Sequence, residues 1–75
     1  MINLSDLETK ILNNPKDKTI LKTALKKVML TDSYISNTDS ISLVNFICDL
    51  YKIDDNEFNN IKLIDIKILG YKILE

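Results

Sequence analysis

The chain has 75 residues, with 45% apolar and 28% charged residues, and its ten lysines and eleven acidic residues give a net charge of −1. A chain of this length forms a thin core and leaves little room for a deep catalytic cleft. It contains no histidine, arginine or tryptophan, which removes the commonest general base and the usual bidentate phosphate-binding group. We therefore expect one domain over residues 1–75 that is not an enzyme.

Cys48 is the only cysteine, so no internal disulfide forms, and a lone thiol without histidine makes neither a zinc site nor a Cys–His nucleophile. We predict that Cys48 is a small buried residue and that the chain binds no metal. The N-terminal segment lacks a basic start followed by an apolar run, and no stretch approaches about 18 consecutive apolar residues. These features predict a cytoplasmic protein without a membrane span.

Charge is distributed unevenly, because residues 1–27 carry a balance of +3 and residues 28–75 carry −4. A basic segment can indicate a polyanion site, but these lysines are not interleaved with arginines or aromatic residues. Lys18, Lys22 and Lys26 recur every four residues, which is typical of the solvent-exposed side of a helix. We therefore do not expect nucleic acid to be a partner.

The first half of the sequence predicts two helices. The first begins at Ser5, because Ser5 and Glu8 have the spacing of a capping box, and it buries Leu7 and Ile11. The second follows Asn14, since the proline after it suits a first helical turn. The apolar residues of this second helix fall in two neighbouring columns, as in an amphipathic helix: Ile20, Leu21, Ala24, Leu25, Val28 and Met29.

The polar segment from Thr31 to Asp39 predicts a loop, which Tyr34 and Ile35 attach to the core. A third helix is expected over residues 40–52, where a narrow polar stripe borders a mostly apolar surface. This helix must be buried on most sides or covered by another molecule. Asp54 and the acids that follow it are typical of a solvated cap, which opens a short helical turn through residues 58–61.

Residues 62–74 fit two patterns. Ile64, Ile66 and Ile68 alternate with charged residues as in a strand, whereas the spacing of Ile64, Ile68 and Tyr71 also fits one face of a helix. We favour a helix because no other segment offers a strand partner, although Gly70 costs about 1 kcal/mol relative to alanine in a helix. The predicted fold is all-α, a small four-helix bundle, with a strand as the alternative for the C-terminal element.

One segment carries a family resemblance. Asp39-Ser40-Ile41 opens an amphipathic helix and resembles the signature of acyl and peptidyl carrier proteins. Residues 53–64 are similar to the short third helix of that family and the entry to its last helix. The resemblance implies a 4′-phosphopantetheine on Ser40, attached by a phosphopantetheinyl transferase, whose thiol holds acyl groups as thioesters for acyl-processing enzymes. It makes Asp39 the neighbouring motif residue and Ile41 the hydrophobic residue that seats the helix start.

A serine at the start of a helix is expected to be exposed, near the positive end of the helix dipole, where an attached phosphodiester is stabilised. Neither a histidine nor a lysine close in sequence activates Ser40, so a separate enzyme must supply the catalysis. The sequence therefore predicts a phosphopantetheine-bearing carrier that performs no chemistry of its own.

The alternative is a small helical interaction or regulatory protein, such as a phage or plasmid inhibitor or an antitoxin-like partner. The third helix and residues 62–74 carry more apolar residues than a monomer of this size readily buries. Such a surface favours a homodimer or a protein partner, with no catalysis.

Overall fold

The structure, a computed structural model, describes residues 2–75. These residues form four α-helices and one 3₁₀ helix: α1 (Leu4–Leu12), α2 (Pro15–Val28), α3 (Asn37–Tyr51), the 3₁₀ helix Asp55–Phe58, and α4 (Leu63–Leu74). No strand occurs among them. The predicted four-helix bundle is confirmed, and the C-terminal element is a helix. None of the helices within residues 2–75 has the length and apolar character that crossing a membrane requires.

The four helices form a ring in which α1 and α3 each pack against both α2 and α4. Helices α2 and α4 also touch across the diagonal of the bundle, and the 3₁₀ helix packs on α3. One apolar core fills the space between them. Its fully buried hydrophobic side chains come from all four helices and from the α2–α3 loop: Ile11, Leu21, Leu25, Ile35, Leu43, Ile47, Ile66, Leu69 and Ile73.

The N-terminal cap of α1 differs from the prediction. Asn3, rather than Ser5, caps the helix, and its side-chain oxygen accepts a hydrogen bond from the Asp6 amide at 3.1 Å. Ser5 lies inside the helix, where its carbonyl oxygen accepts from the Thr9 hydroxyl at 3.0 Å. Asparagine and serine are similarly good N-caps, so the local sequence is compatible with a helix that is capped by either residue.

Helix α2 begins as predicted. Asn14 accepts a hydrogen bond from the Asp17 amide at 3.2 Å, and Pro15 occupies the first turn. At the same end of the bundle, the Tyr51 hydroxyl donates to Asp17 Oδ2 at 2.7 Å. Because Tyr51 ends α3 and Asp17 lies in the first turn of α2, the two helices run antiparallel.

Helix α3 begins three residues before the predicted start at Ser40. Ser36 is its N-cap, and a reciprocal capping box joins Ser36 to Asp39: the Ser36 hydroxyl oxygen accepts from the Asp39 amide, and Asp39 Oδ2 accepts from the Ser36 amide, both at 3.0 Å. Two amides at the helix start are satisfied together, which stabilises the earlier start. The predicted loop therefore ends before Asp39.

Gly70 allows α4 to lie close to the α2–α3 loop. A Cβ atom at this position would lie 2.7 Å from Ile35 Cδ1 and 3.3 Å from Leu43 Cδ2. The neighbouring Tyr71 hydroxyl accepts a hydrogen bond from the Ile35 amide at 2.9 Å. Ile35 is thus attached to the core as predicted, whereas the prediction for Tyr34 is wrong because that side chain is exposed.

Candidate functional site

Ser40 lies inside the bundle rather than on its surface. Its side chain has no solvent exposure, and its hydroxyl donates a hydrogen bond to the Ser36 carbonyl oxygen at 3.0 Å. The Ser40 amide donates to the same oxygen at 3.0 Å. The expectation of an exposed serine at the helix start is therefore wrong, because the helix begins one turn earlier and carries Ser40 onto its inner face.

The two neighbours of Ser40 also differ from the expected arrangement. Asp39 is buried, and its carboxylate is held in the capping box with Ser36. Ile41 is 52% exposed and lines a shallow pocket with Val44 and Leu63. Ile41 therefore does not seat the helix start, and the three motif residues do not converge on one accessible point.

The electrostatics at this helix start oppose an additional anion. The Asp39 carboxylate already lies at the positive end of the α3 dipole, where a phosphodiester would gain its stabilisation. Exposing the Ser40 hydroxyl requires breaking its hydrogen bond to the Ser36 carbonyl oxygen and moving the side chain out of the buried inner face of α3. This end of α3 is a well-satisfied cap.

Two other candidate residues have structural roles. Asp54 caps the 3₁₀ helix and accepts a hydrogen bond from the Asn56 amide at 2.9 Å, which confirms the predicted cap. Cys48 is buried, as predicted. Burial, reinforced by the negative charges of Asp55, Asp49 and Asp54, raises the pKa of the Cys48 thiol, so its reactive thiolate form is disfavoured.

An uncovered apolar groove lies on the outer face of α2 and α3, and we call it the α2–α3 groove. It has a volume of about 520 Å³. Ile20 is 42% exposed and Val28 is 38% exposed on one wall. Residues from both helices line the groove and its continuation toward the C-terminal end of α3: Thr19, Ile20, Leu21, Thr23, Ala24, Lys27, Val28, Phe46, Asp49 and Leu50.

The charged residues that line the α2–α3 groove are Lys27 and Asp49, and they lie at opposite ends. The antiparallel contact between Asp17 and Tyr51 fixes this order. Asp49 lines the same part of the groove as Ile20 and Leu21. Lys27 is seven residues beyond Ile20 on α2, roughly 10 Å along the helix at 1.5 Å per residue.

A second apolar surface lies on the outer side of α4. Ile64 and Ile68 are about half exposed there, although α4 also buries Ile66 and Leu69 on its inner side. The polar neighbours of this surface have partners, since Lys72 forms an ion pair with Glu8 at 2.8 Å. The sequence predicted more apolar surface in residues 62–74 than a monomer of this size buries. The exposure of Ile64 and Ile68 confirms this for α4.

Sequence reasoning missed the contribution of α2 to the apolar surface. The two apolar columns of this helix were both assigned to its buried stripe, but Leu21 and Leu25 are buried while Ile20 and Val28 line the groove. The width of the pattern gave no signal, because two neighbouring columns about 100° apart are typical of a helix that packs on one side. Phe46 of α3 was likewise not recognised as a groove residue.

Comparison of the chain with protein-family models, with curated proteins and with solved structures finds no match.

Proposed function

We propose that this chain is a small helical interaction protein that acts by binding another protein surface and performs no catalysis. The observation that carries the proposal is the α2–α3 groove, an apolar surface that the four helices leave uncovered. Its walls combine aliphatic side chains with the aromatic ring of Phe46, which is the composition that apolar anchors of a partner recognise.

Energetics favour a partner on this surface. Full burial of an isoleucine or valine side chain contributes about 1.5–3 kcal/mol, and Ile20 and Val28 each retain more than a third of their exposure. Thr19 and Thr23, which also line the groove, are short and polar, and the charged lining residues Lys27 and Asp49 lie at its two ends, so a partner can approach the apolar floor between them. This arrangement resembles a docking groove more closely than a substrate cleft.

The carrier hypothesis is the alternative, and the position of Ser40 weighs against it. A transferase requires access to the hydroxyl, which has no solvent exposure and donates to the Ser36 carbonyl. In favour of the carrier hypothesis, a short 3₁₀ helix at Asp55–Phe58 precedes the last helix, as the resemblance implies. The balance favours an unmodified interaction protein.

Mass spectrometry of the chain purified from its native host tests both hypotheses. Under denaturing conditions we expect the unmodified mass of 8.6 kDa, and under native conditions a complex of larger mass. An Ile20→Lys variant should lose that complex, because the substitution places a charge in the α2–α3 groove. Asn59→Lys adds the same charge to an exposed position outside the groove and should keep the complex.

Two outcomes would contradict the proposal. A chain that carries a phosphopantetheine adduct, absent in Ser40→Ala, would establish the carrier hypothesis instead. A chain that remains at the monomer mass under native conditions, at its natural abundance and when concentrated, would leave the groove without a partner.

A further inference from the structure

We infer that the partner of the α2–α3 groove is an acidic amphipathic helix of another protein. Its apolar face fills the groove, and its aspartate and glutamate side chains pair with lysines along the α2 wall. The inference rests on the proposed function and specifies the chemistry of the partner. It follows from the charge that α2 carries and from the shape of the groove beside it.

Helix α2 concentrates positive charge that the chain does not neutralise. It has five lysines and one acid, which gives a net charge of +4, and the carboxylate of that acid, Asp17, accepts a hydrogen bond from the Tyr51 hydroxyl. Within residues 2–75 the ion pair that forms joins Lys72 to Glu8, so no carboxylate of this part of the chain pairs with an α2 lysine. The five lysines are Lys16, Lys18, Lys22, Lys26 and Lys27.

The three most exposed of these lysines border the groove. Lys27 lines it directly. Lys16 lies four residues before Ile20, and Lys26 lies three residues after Thr23, so each shares a side of the helix with a residue that lines the groove. From Lys16 to Lys27 the rise along the helix is about 16 Å. The α2 wall is therefore basic along its whole length.

The α3 wall has a different character. Phe46 and Leu50 contribute apolar surface, and the charged residue that lines this wall is Asp49. Like charges that face each other across an interface are strongly disfavoured. A partner therefore carries its acids on the side that faces α2 and an uncharged or basic residue opposite Asp49.

The length of the apolar surface fits a helix. Ile20 and Val28, the partly exposed aliphatic residues of the groove, are eight residues apart on α2, a rise of about 12 Å. Apolar residues at positions i, i+4 and i+7 of a partner helix span nearly the same distance, and this is the usual spacing of anchors in helix-in-groove recognition. About two turns of a partner helix thus cover the surface that the four helices leave in solvent.

Two other anionic partners fit the groove less well. An anionic membrane presents a broad surface that does not enter a groove between two helices, and it brings phosphates against Asp49. A nucleic acid backbone can pair with the lysines, but it leaves the apolar side chains of Ile20 and Phe46 without a counterpart. An acidic amphipathic helix satisfies the lysines and the apolar floor together.

Zero-length cross-linking of the native complex tests the inference. A water-soluble carbodiimide joins a lysine amine to a carboxylate in contact with it, with loss of water. We expect Lys16, Lys26 or Lys27 to be linked to aspartate or glutamate residues of a partner segment in which apolar residues recur at i, i+4 and i+7. The contact between Lys72 and Glu8 at 2.8 Å should give a cross-link within the chain and serves as the positive control.

Paired variants measure the contribution of the lysines. Lys26→Gln/Lys27→Gln removes two charges from the α2 wall. Lys52→Gln/Lys62→Gln removes two charges from exposed positions that do not line the groove. In native mass spectrometry at low ionic strength, the ratio of bound to free chain should fall about fivefold for the first variant and stay at the wild-type value for the second. A higher ammonium acetate concentration should reduce this difference, because salt screens exposed charges. Circular dichroism checks that both variants are folded.

The outcomes distinguish this inference from the proposed function. Cross-links to the partner from lysines outside α2 alone, or an equal loss of complex in both double variants, would overturn the inference. Ile20-dependent binding of the purified chain to phosphatidylserine vesicles would assign the groove to a lipid surface and overturn it as well. The proposed function still stands if the native protein complex is lost in Ile20→Lys. A host preparation without any complex would contradict the proposed function and the inference together.

Discussion

The inner and outer apolar columns of α2 have similar side chains but differ in their exposure to solvent. Leu21 and Leu25 are completely buried against α3 and α4, whereas Ile20 and Val28, one or three positions away, remain more than one third exposed. All four are aliphatic residues on one helix, so the difference arises from the number of neighbours and not from the side chains. The other three helices cover one column of α2, and the second column needs a further element or another molecule to cover it.

The largest expected effect contrasts the two columns directly. Leu25→Asp places an unpaired carboxylate in the core and should destabilise the chain by about 4 kcal/mol or more, enough to unfold it. Ile20→Asp introduces the same carboxylate in the outer column and should cost less than about 1 kcal/mol in the monomer. Urea unfolding of both variants at low protein concentration measures the contrast, and equal losses would show that the two columns do not differ.

A smaller effect on stability is expected at Gly70, where α4 lies close to Ile35 and Leu43. Gly70→Ala should destabilise the chain by about 1–2 kcal/mol, because its Cβ would meet Ile35 Cδ1 at 2.7 Å and overpacking outweighs the gain in helix propensity. Ile35→Val removes that Cδ1 atom. Thermal unfolding of the double variant should therefore show a smaller effect of Gly70→Ala than the wild-type background does.

If Gly70→Ala stabilises the chain, or has the same effect in both backgrounds, the close approach of α4 to Ile35 is not what keeps a glycine at this position.

Tyr51, the last residue of α3, joins α3 to the first turn of α2. Tyr51→Phe removes the hydrogen bond to Asp17 and should cost about 1 kcal/mol at neutral pH. Burial and this hydrogen bond raise the pKa of Tyr51 above its ordinary value. The stabilisation is therefore present at neutral pH and is lost as the pH rises above about 10, where the unfolded chain ionises first.

Unfolding curves for wild type and Tyr51→Phe at neutral and alkaline pH test this sign. The stability difference between them should shrink as the pH rises, and Tyr34→Phe, at an exposed position, serves as the control. A difference that grows with pH would contradict the assigned hydrogen bond.

The smallest effect is expected at the start of α3. Ser40→Ala removes a hydroxyl that donates to Ser36 O, but the Ser40 amide donates to the same oxygen. The carbonyl stays satisfied, so the loss should be less than about 1 kcal/mol. Chemical unfolding checks this value, and a loss of several kcal/mol would mean that the buried hydroxyl has a further role in the core.

Sequence patterns predicted the helices well where local and tertiary preferences agree. The Asn14–Pro15 start of α2 follows from backbone geometry, and the lack of a strand partner correctly favoured a helix for residues 62–74. The start of α3 was misplaced because Asp39-Ser40 was taken as the boundary. Ser36 and Asp39, three residues apart, form the capping box that sets the actual start, and this spacing was available in the sequence.

The candidate site was less predictable than the helices. Periodicity identifies the apolar columns of a helix but not how many neighbours will cover them, so the exposure of Ile20 and Val28 required the packing of all four helices. The burial of Ser40 was not predicted because the start of α3 was placed about one turn too late. With the start at Asn37, Ser40 lies within the helix on its inner face.

Native mass spectrometry of the wild-type chain and of Ile20→Lys, each expressed in and purified from the native host, tests the central claim most directly. We expect wild type in a complex heavier than 8.6 kDa, while Ile20→Lys remains at the monomer mass with an unchanged helical spectrum. Identical masses for the two proteins would contradict the claim that the α2–α3 groove binds another protein.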